Sequence, residues 1–117
     1  MTDADSKTLT RAEVISSDDL RRELVAVPEW GGSIMLHTLS VAERLALAEL
    51  AKSETGGQFG LRLVIASAID EDGNRLFGEG DMAALANKSH AAVERLVRAA
   101  VRVNAMAGDD VETAAKN

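Results

Sequence analysis

The sequence predicts an α+β chain, mainly α, with one N-terminal β-hairpin followed by a small bundle of about four helices. Three observations carry this reading. Gly31-Gly32 lies between Val25-Ala26-Val27-Pro28-Glu29-Trp30 and Ser33-Ile34-Met35-Leu36, the arrangement of a tight hairpin turn. Downstream, apolar residues recur at helical spacing behind hydroxyl or carboxylate capping residues. Aromatic residues make up only 3% of the chain, so the core must be built from Ala, Leu, Val and Ile, which suits closely packed helices.

The elements follow in order. Residues 1–12 are polar and aperiodic and read as a flexible arm before a single domain at 13–107. Ser16-Ser17-Asp18-Asp19-Leu20 reads as a short capped helical turn. The hairpin is expected over about 24–38, with Gly31 and Gly32 forming the turn, because a primed turn needs positive φ. That placement sets Trp30 opposite Ser33, Pro28 opposite Met35 and Val27 opposite Leu36. One face then carries Val25, Val27, Ile34 and Leu36, and the other Ala26, Pro28, Trp30, Met35 and His37. Pro28 withholds a ladder donor, which assigns its strand to a sheet edge.

Ser40-Val41-Ala42-Glu43 has the form of a capping box. It opens a helix over about 40–53 with Val41, Leu45 and Ala48 on one stripe, widened by Leu47, Leu50 and Ala51. Gly56-Gly57 breaks it. Residues 59–69 are apolar apart from Gly60, Arg62 and Ser67 and predict a buried central helix. A buried strand is the alternative that Val64 and Ile65 leave open. Asp70 to Asn74 reads as a turn, and Asp81 as the cap of a short helix over 80–86. Ser89 caps the last helix, 89–106, with Val93, Leu96, Val97, Ala100 and Val101 inward and Glu94, Arg95, Arg98 and Arg102 outward. Gly108 ends it, and 108–117 is read as a flexible acidic tail.

A chain of 117 residues with formal net charge −6 is sized for one modest core. Its charge argues against non-specific binding to nucleic acid or anionic membrane. The absence of Cys removes disulfides and thiolate metal sites and suits the cytoplasm. No apolar run reaches the ~20 residues of a membrane span, and the polar start lacks a signal-peptide core.

Candidate chemistry is sparse. Asp70, Asp72 and Asn74 stand at positions one, three and five of a calcium loop. Arg75, however, occupies the position that needs Gly, and Asp81 the position that needs a bidentate Glu, so an Asp-Gly turn explains these residues. Arg95, Arg98 and Arg102 form a basic stripe, with Glu94 placed for an i,i+4 pair to Arg98; it reads as a solvated or partner-facing helix surface. His37 and His90 have no carboxylate or second His at metal-ligand spacing. Gly56-Gly57-Gln58-Phe59-Gly60 lacks the Lys and the spacing of a phosphate loop. These readings leave no catalytic residues, no metal and no cofactor, and the chain is read as a non-enzyme. Trp30 has two readings: packed on the chain's own helices, or part of a partner-binding ridge. The partner-binding candidates are Pro28, Trp30, Met35 and Leu36. Met35, Met82 and Met106 offer soft contacts.

Several stretches together resemble the tail assembly chaperones of long-tailed bacteriophages and prophages. They are Val27-Pro28-Glu29-Trp30-Gly31-Gly32, Leu39-Ser40-Val41-Ala42-Glu43-Arg44 and Ala68 through Phe77. Lys88-Ser89 with Val93-Glu94-Arg95-Leu96, and Val101-Arg102-Val103-Asn104, follow in the same order. The resemblance runs from about Val25 to Asn117 and leaves out the N-terminal arm and Gly56-Gly57. It implies a protein similar in role to the G protein of phage lambda, acting in the host cytoplasm and absent from the mature virion. The implied partners are the tape measure protein, which it coats and keeps soluble, tail tube protein through a frameshift-extended form, and further copies of itself. Ala115-Lys116-Asn117 can be encoded as GCA-AAA-AAC, which contains a slippery heptamer, so Lys116 and Asn117 mark the expected frameshift. The alternative is a small bacterial regulatory or antitoxin-like binding module.

Overall fold

The computed structural model describes residues 7–52 and 58–104. Thr10 opens helix α1 (Arg11–Ser16): its hydroxyl accepts from the Glu13 N–H at 3.2 Å, and Glu13 Oε1 accepts from the Thr10 N–H at 3.0 Å. This hydroxyl-x-x-Glu signature is the one at Ser40, and it places helix within the stretch expected to be an arm. Of the turn expected at Ser16 to Leu20, only Ser16 is helical, as the last residue of α1. Ser17 already closes α1, donating both its N–H and its hydroxyl to the Val14 carbonyl.

Strands β1 (Arg22–Val27) and β2 (Gly32–His37) pair antiparallel, Val27 against Gly32, Val25 against Ile34 and Glu23 against Leu36. The expected pairing of Val27 with Leu36 and Pro28 with Met35 is thereby corrected. Pro28–Trp30 is a single 3₁₀ turn with Pro28 at its start, where a fixed φ and a missing N–H cost nothing. Gly31 alone takes the left-handed conformation, at φ 75°, and Gly32 is the first residue of β2. The correction moves each partner by four residues, an even number, so the inward set Val25, Val27, Ile34 and Leu36 keeps its face.

Helix α2 (Val41–Lys52) starts with the expected box, Ser40 Oγ accepting from the Glu43 N–H and Glu43 Oε1 from the Ser40 N–H. Its orientation differs from expectation. Leu47 and Ala51 face the core, whereas Val41 and Leu45 are 78% and 64% exposed. The helix carries apolar residues on two sides, and only packing beside α3 decides which is buried. Helix α3 (Phe59–Ser67) is the buried central helix, but Ala68 and Ile69 leave it to form β3 (Ala68–Ile69), pairing with Leu36 and Met35 of β2. The helix expected through residue 69 thus ends in a third strand. The sheet order is β1-β2-β3, so β1 is an edge and β2 is central.

A 3₁₀ turn at Glu79–Asp81 leads into α4 (Met82–Ala86). Asp81 holds the N-cap position of α4 as expected, but its side chain makes no bond to the helix and its carboxylate instead accepts from the Gly78 N–H at 2.8 Å. Ser89 Oγ does cap α5 (His90–Val103), through the Ala92 N–H. α5 packs across the inner sheet face and against α3. Val27, Leu36, Leu63, Val64, Ala68, Ala92, Leu96 and Ala100 form the dry centre of the core. The expected Gly56-Gly57 break, the end of the last helix at Met106, the acidic tail and the frameshift position Lys116-Asn117 lie outside the described residues.

Candidate interaction surface

Helices cover the inner face of the sheet, and its outer face carries apolar residues that they leave open. Leu24 on β1 stands directly opposite Met35 on β2. Leu24 is 63% exposed and Met35 half-buried, with Ala26 exposed beside them. A lone exposed leucine is ordinary on any surface, but here the pair adjoins the unpaired edge of β1, which presents backbone donors and acceptors. Two further apolar sets are open: Val41 and Leu45 on α2, and Leu9, Val14 and Ile15 at α1, a helix that buries none of its residues.

The four residues expected to bind a partner are not brought together on one surface. Pro28 is exposed in the turn, and Met35 lies on the outer face. Trp30 is half-buried against the core cluster, so its ring serves the chain's own packing. Leu36 is wholly buried on the inner face. It is a core residue, because register places it with Val25 and Val27 under α5. Leu24, Val41 and Leu45 were not among the expected residues. The alternation Leu24, Ala26 along β1 was a signal for Leu24, whereas nothing in the helical period of α2 marks Val41 as outward.

Ion pairs fix the hairpin to α5. Glu29 receives both terminal nitrogens of Arg95, at 2.6 and 3.0 Å, and Glu23 receives Arg102 Nη2 at 2.6 Å. Two of the three arginines read as solvated or partner-facing therefore reach the hairpin, while Arg98 makes the expected i,i+4 pair to Glu94 at 2.8 Å. The Arg95 hydrogen bond holds the Glu29 carboxyl below its ordinary pKa, and the same bond raises that of Arg95. Asn104 adds a neutral tie, its Oδ1 accepting from the Leu39 N–H and its Nδ2 donating to the Ala100 carbonyl.

The Asp70 carboxylate and the two histidines have local partners. Asp70 Oδ1 accepts from the N–H groups of Asp72 and Asn74, at 2.9 and 3.0 Å, while Gly73 takes φ 84°. The oxygen expected at the first position of a calcium loop is thus engaged by its own turn. His37 lies 3.8 Å from Glu43 and His90 3.0 Å from Glu94, carboxylate neighbours that the sequence reading had not assigned. Among the described residues no cluster of three or more His, Asp or Glu could hold a metal. No helix among them is long and apolar enough to cross a membrane. What the surface offers is apolar contact beside a free strand edge, the chemistry of protein–protein association.

The solved structure of the bacteriophage HK97 tail assembly chaperone is similar to this chain, with a TM-score of 0.54 at 20% identity. The likeness covers 79% of this chain and 90% of that one. This chain shares the fold of a phage tail assembly chaperone. No family model and no curated protein matches the sequence. The structural likeness agrees with the resemblance carried by the Val27 to Gly32 turn and the Ser40 capping box. In this chain the turn is clamped by Arg95, and the box stands at the start of α2.

Proposed function

We propose that this protein is a phage tail assembly chaperone that binds the tape measure protein and keeps it soluble while the tail is built in the host cytoplasm. The observation that carries the proposal is the fold shared with the HK97 chaperone over 79% of the chain. The open apolar surfaces suit the task. A client made of long, repetitive apolar helices is recognised by shape and apolar area rather than by a single pocket, and unbranched side chains such as Met35 adapt to such a surface. Leu24 and Met35 are the proposed client contacts, with Pro28 and the exposed part of Trp30 at the turn beside them. Copies associate through the free edge of β1 into rings or short stacks along the client. A frameshift after Lys116 appends a module that recruits tail tube protein, at the high effective concentration that a tether gives.

Co-expression tests the central step. The tape measure protein encoded beside this chain is expected in the soluble fraction when the two are made together and in the pellet when made alone. If Leu24→Ser with Met35→Ser solubilises it as well as wild type, the outer sheet face is not the site. A tape measure protein that remains insoluble with wild-type chaperone contradicts the function itself.

A further inference from the structure

The acidity of the chain is unevenly placed. Six of its nineteen carboxylates, Asp3, Asp5, Glu54, Asp109, Asp110 and Glu112, lie outside the described residues, against one of its thirteen basic residues, Lys116. The described part is therefore nearly neutral and carries local basic ground. One such place is an open hollow of about 250 Å³ lined by Arg21, Arg22, Glu23, Arg102 and Val103. Three guanidinium groups meet one carboxylate there, and Glu23 is taken up by Arg102. Arg21 and Arg22 have no carboxylate within ion-pair distance among the described residues. Arg22 also borders a second hollow that Asp18 lines, and its guanidinium lies near Gly73.

We propose that the chain's own acidic segment, Asp109-Asp110-Val111-Glu112, occupies this hollow. Position selects the occupant. Val103 is the last residue of α5 and forms part of the hollow's wall. Asp109 lies five positions beyond Asn104, a reach of about 17 Å when extended. The segment brings three carboxylates in four residues to guanidinium groups whose planar donors suit bidentate carboxylate contact. Attraction to Arg21, Arg22 and Arg102 must exceed repulsion from Glu23 and from the negative end of the α5 dipole. Two of the three cations are uncommitted, which tips that balance. Arg21 and Arg22 lead into β1, so the docked segment lies beside the start of the free strand edge. This assignment is independent of the chaperone function.

The test uses the full chain with Val111→Cys, a unique labelling position because the protein has no cysteine. A nitroxide is attached there, and amide signals are compared between its oxidised and reduced forms. The signals of Arg21, Arg22 and Glu23, distant in sequence from the label, are expected to lose most of their intensity at low salt, while those of Arg11 to Ser16 do not. The loss should vanish in Asp109→Asn with Asp110→Asn and Glu112→Gln, and in 1 M salt, where the screening length falls to about 3 Å. Unchanged Arg21 and Arg22 signals at low salt overturn the proposal, as does a loss that survives neutralisation of the tail. A loss seen equally when the label and the observed isotope sit on different chains also overturns it, since the occupant is then a second copy.

Discussion

Replacing Leu36 by Ala separates the two faces of the hairpin more sharply than any other change. Leu36 has no exposed surface on the central strand, flanked by Glu23 and Ala68 and backed by the core that Leu63 and Leu96 complete. Truncation removes three buried carbon atoms and leaves a void that a strand fixed on both sides collapses into poorly. The expected cost is about 2–5 kcal/mol. In a chain of this size that lowers the thermal midpoint by roughly 8–20 °C. Leu24→Ala, paired with Met35 on the opposite face of the sheet and 63% exposed, should change stability by no more than about 0.5 kcal/mol. Urea titration followed by Trp30 fluorescence measures both, because the single tryptophan packs against the same core. A Leu36→Ala cost below about 1 kcal/mol, or a Leu24→Ala cost equal to it, would refute the register and with it the assignment of faces.

Three further outcomes are expected. The pKa of Glu29 is lowered on folding by Arg95, so the pair stabilises the fold above the ordinary carboxylate range, and that contribution is lost as pH falls through the depressed value; Glu29→Gln should flatten the acid limb of a stability–pH profile. Gly31→Ala, at φ 75°, should cost about 1–2 kcal/mol, whereas Gly32→Ala, with open space at its Cβ, should be nearly neutral by the same urea titration. Asp70→Ala removes the acceptor of two backbone N–H groups and should cost about 1–2 kcal/mol, while added calcium should leave the wild-type midpoint unchanged.

Much of the fold was legible because its signals are local. The capping boxes at Ser40 and the Ser89 cap fixed helix starts, and alternation fixed which hairpin residues face inward. The register itself was not legible, since Pro28 can open a 3₁₀ turn or sit in an edge strand, and only tertiary contacts such as the Glu29–Arg95 clamp choose. For the same reason Ala68 and Ile69 read as helix: their apolar run does not show that β2 lies alongside to pair with them. Val41 and Leu45 were misplaced because α2 has two apolar sides. Of the candidate site, Met35 keeps its place on the outer face, Trp30 is shared with the core, and Leu36, on the Val25 and Val27 face, is buried in the core rather than open to a partner. Leu24 enters only once the strand pairing is known.

Hydrogen exchange on the purified protein, alone and with a soluble helical segment of the tape measure protein, tests the central claim most directly. New protection is expected along β1 and β2 around Leu24 and Met35, with the buried amides of α3 unchanged. Absence of any added protection on the hairpin, at segment concentrations that saturate binding, would contradict it.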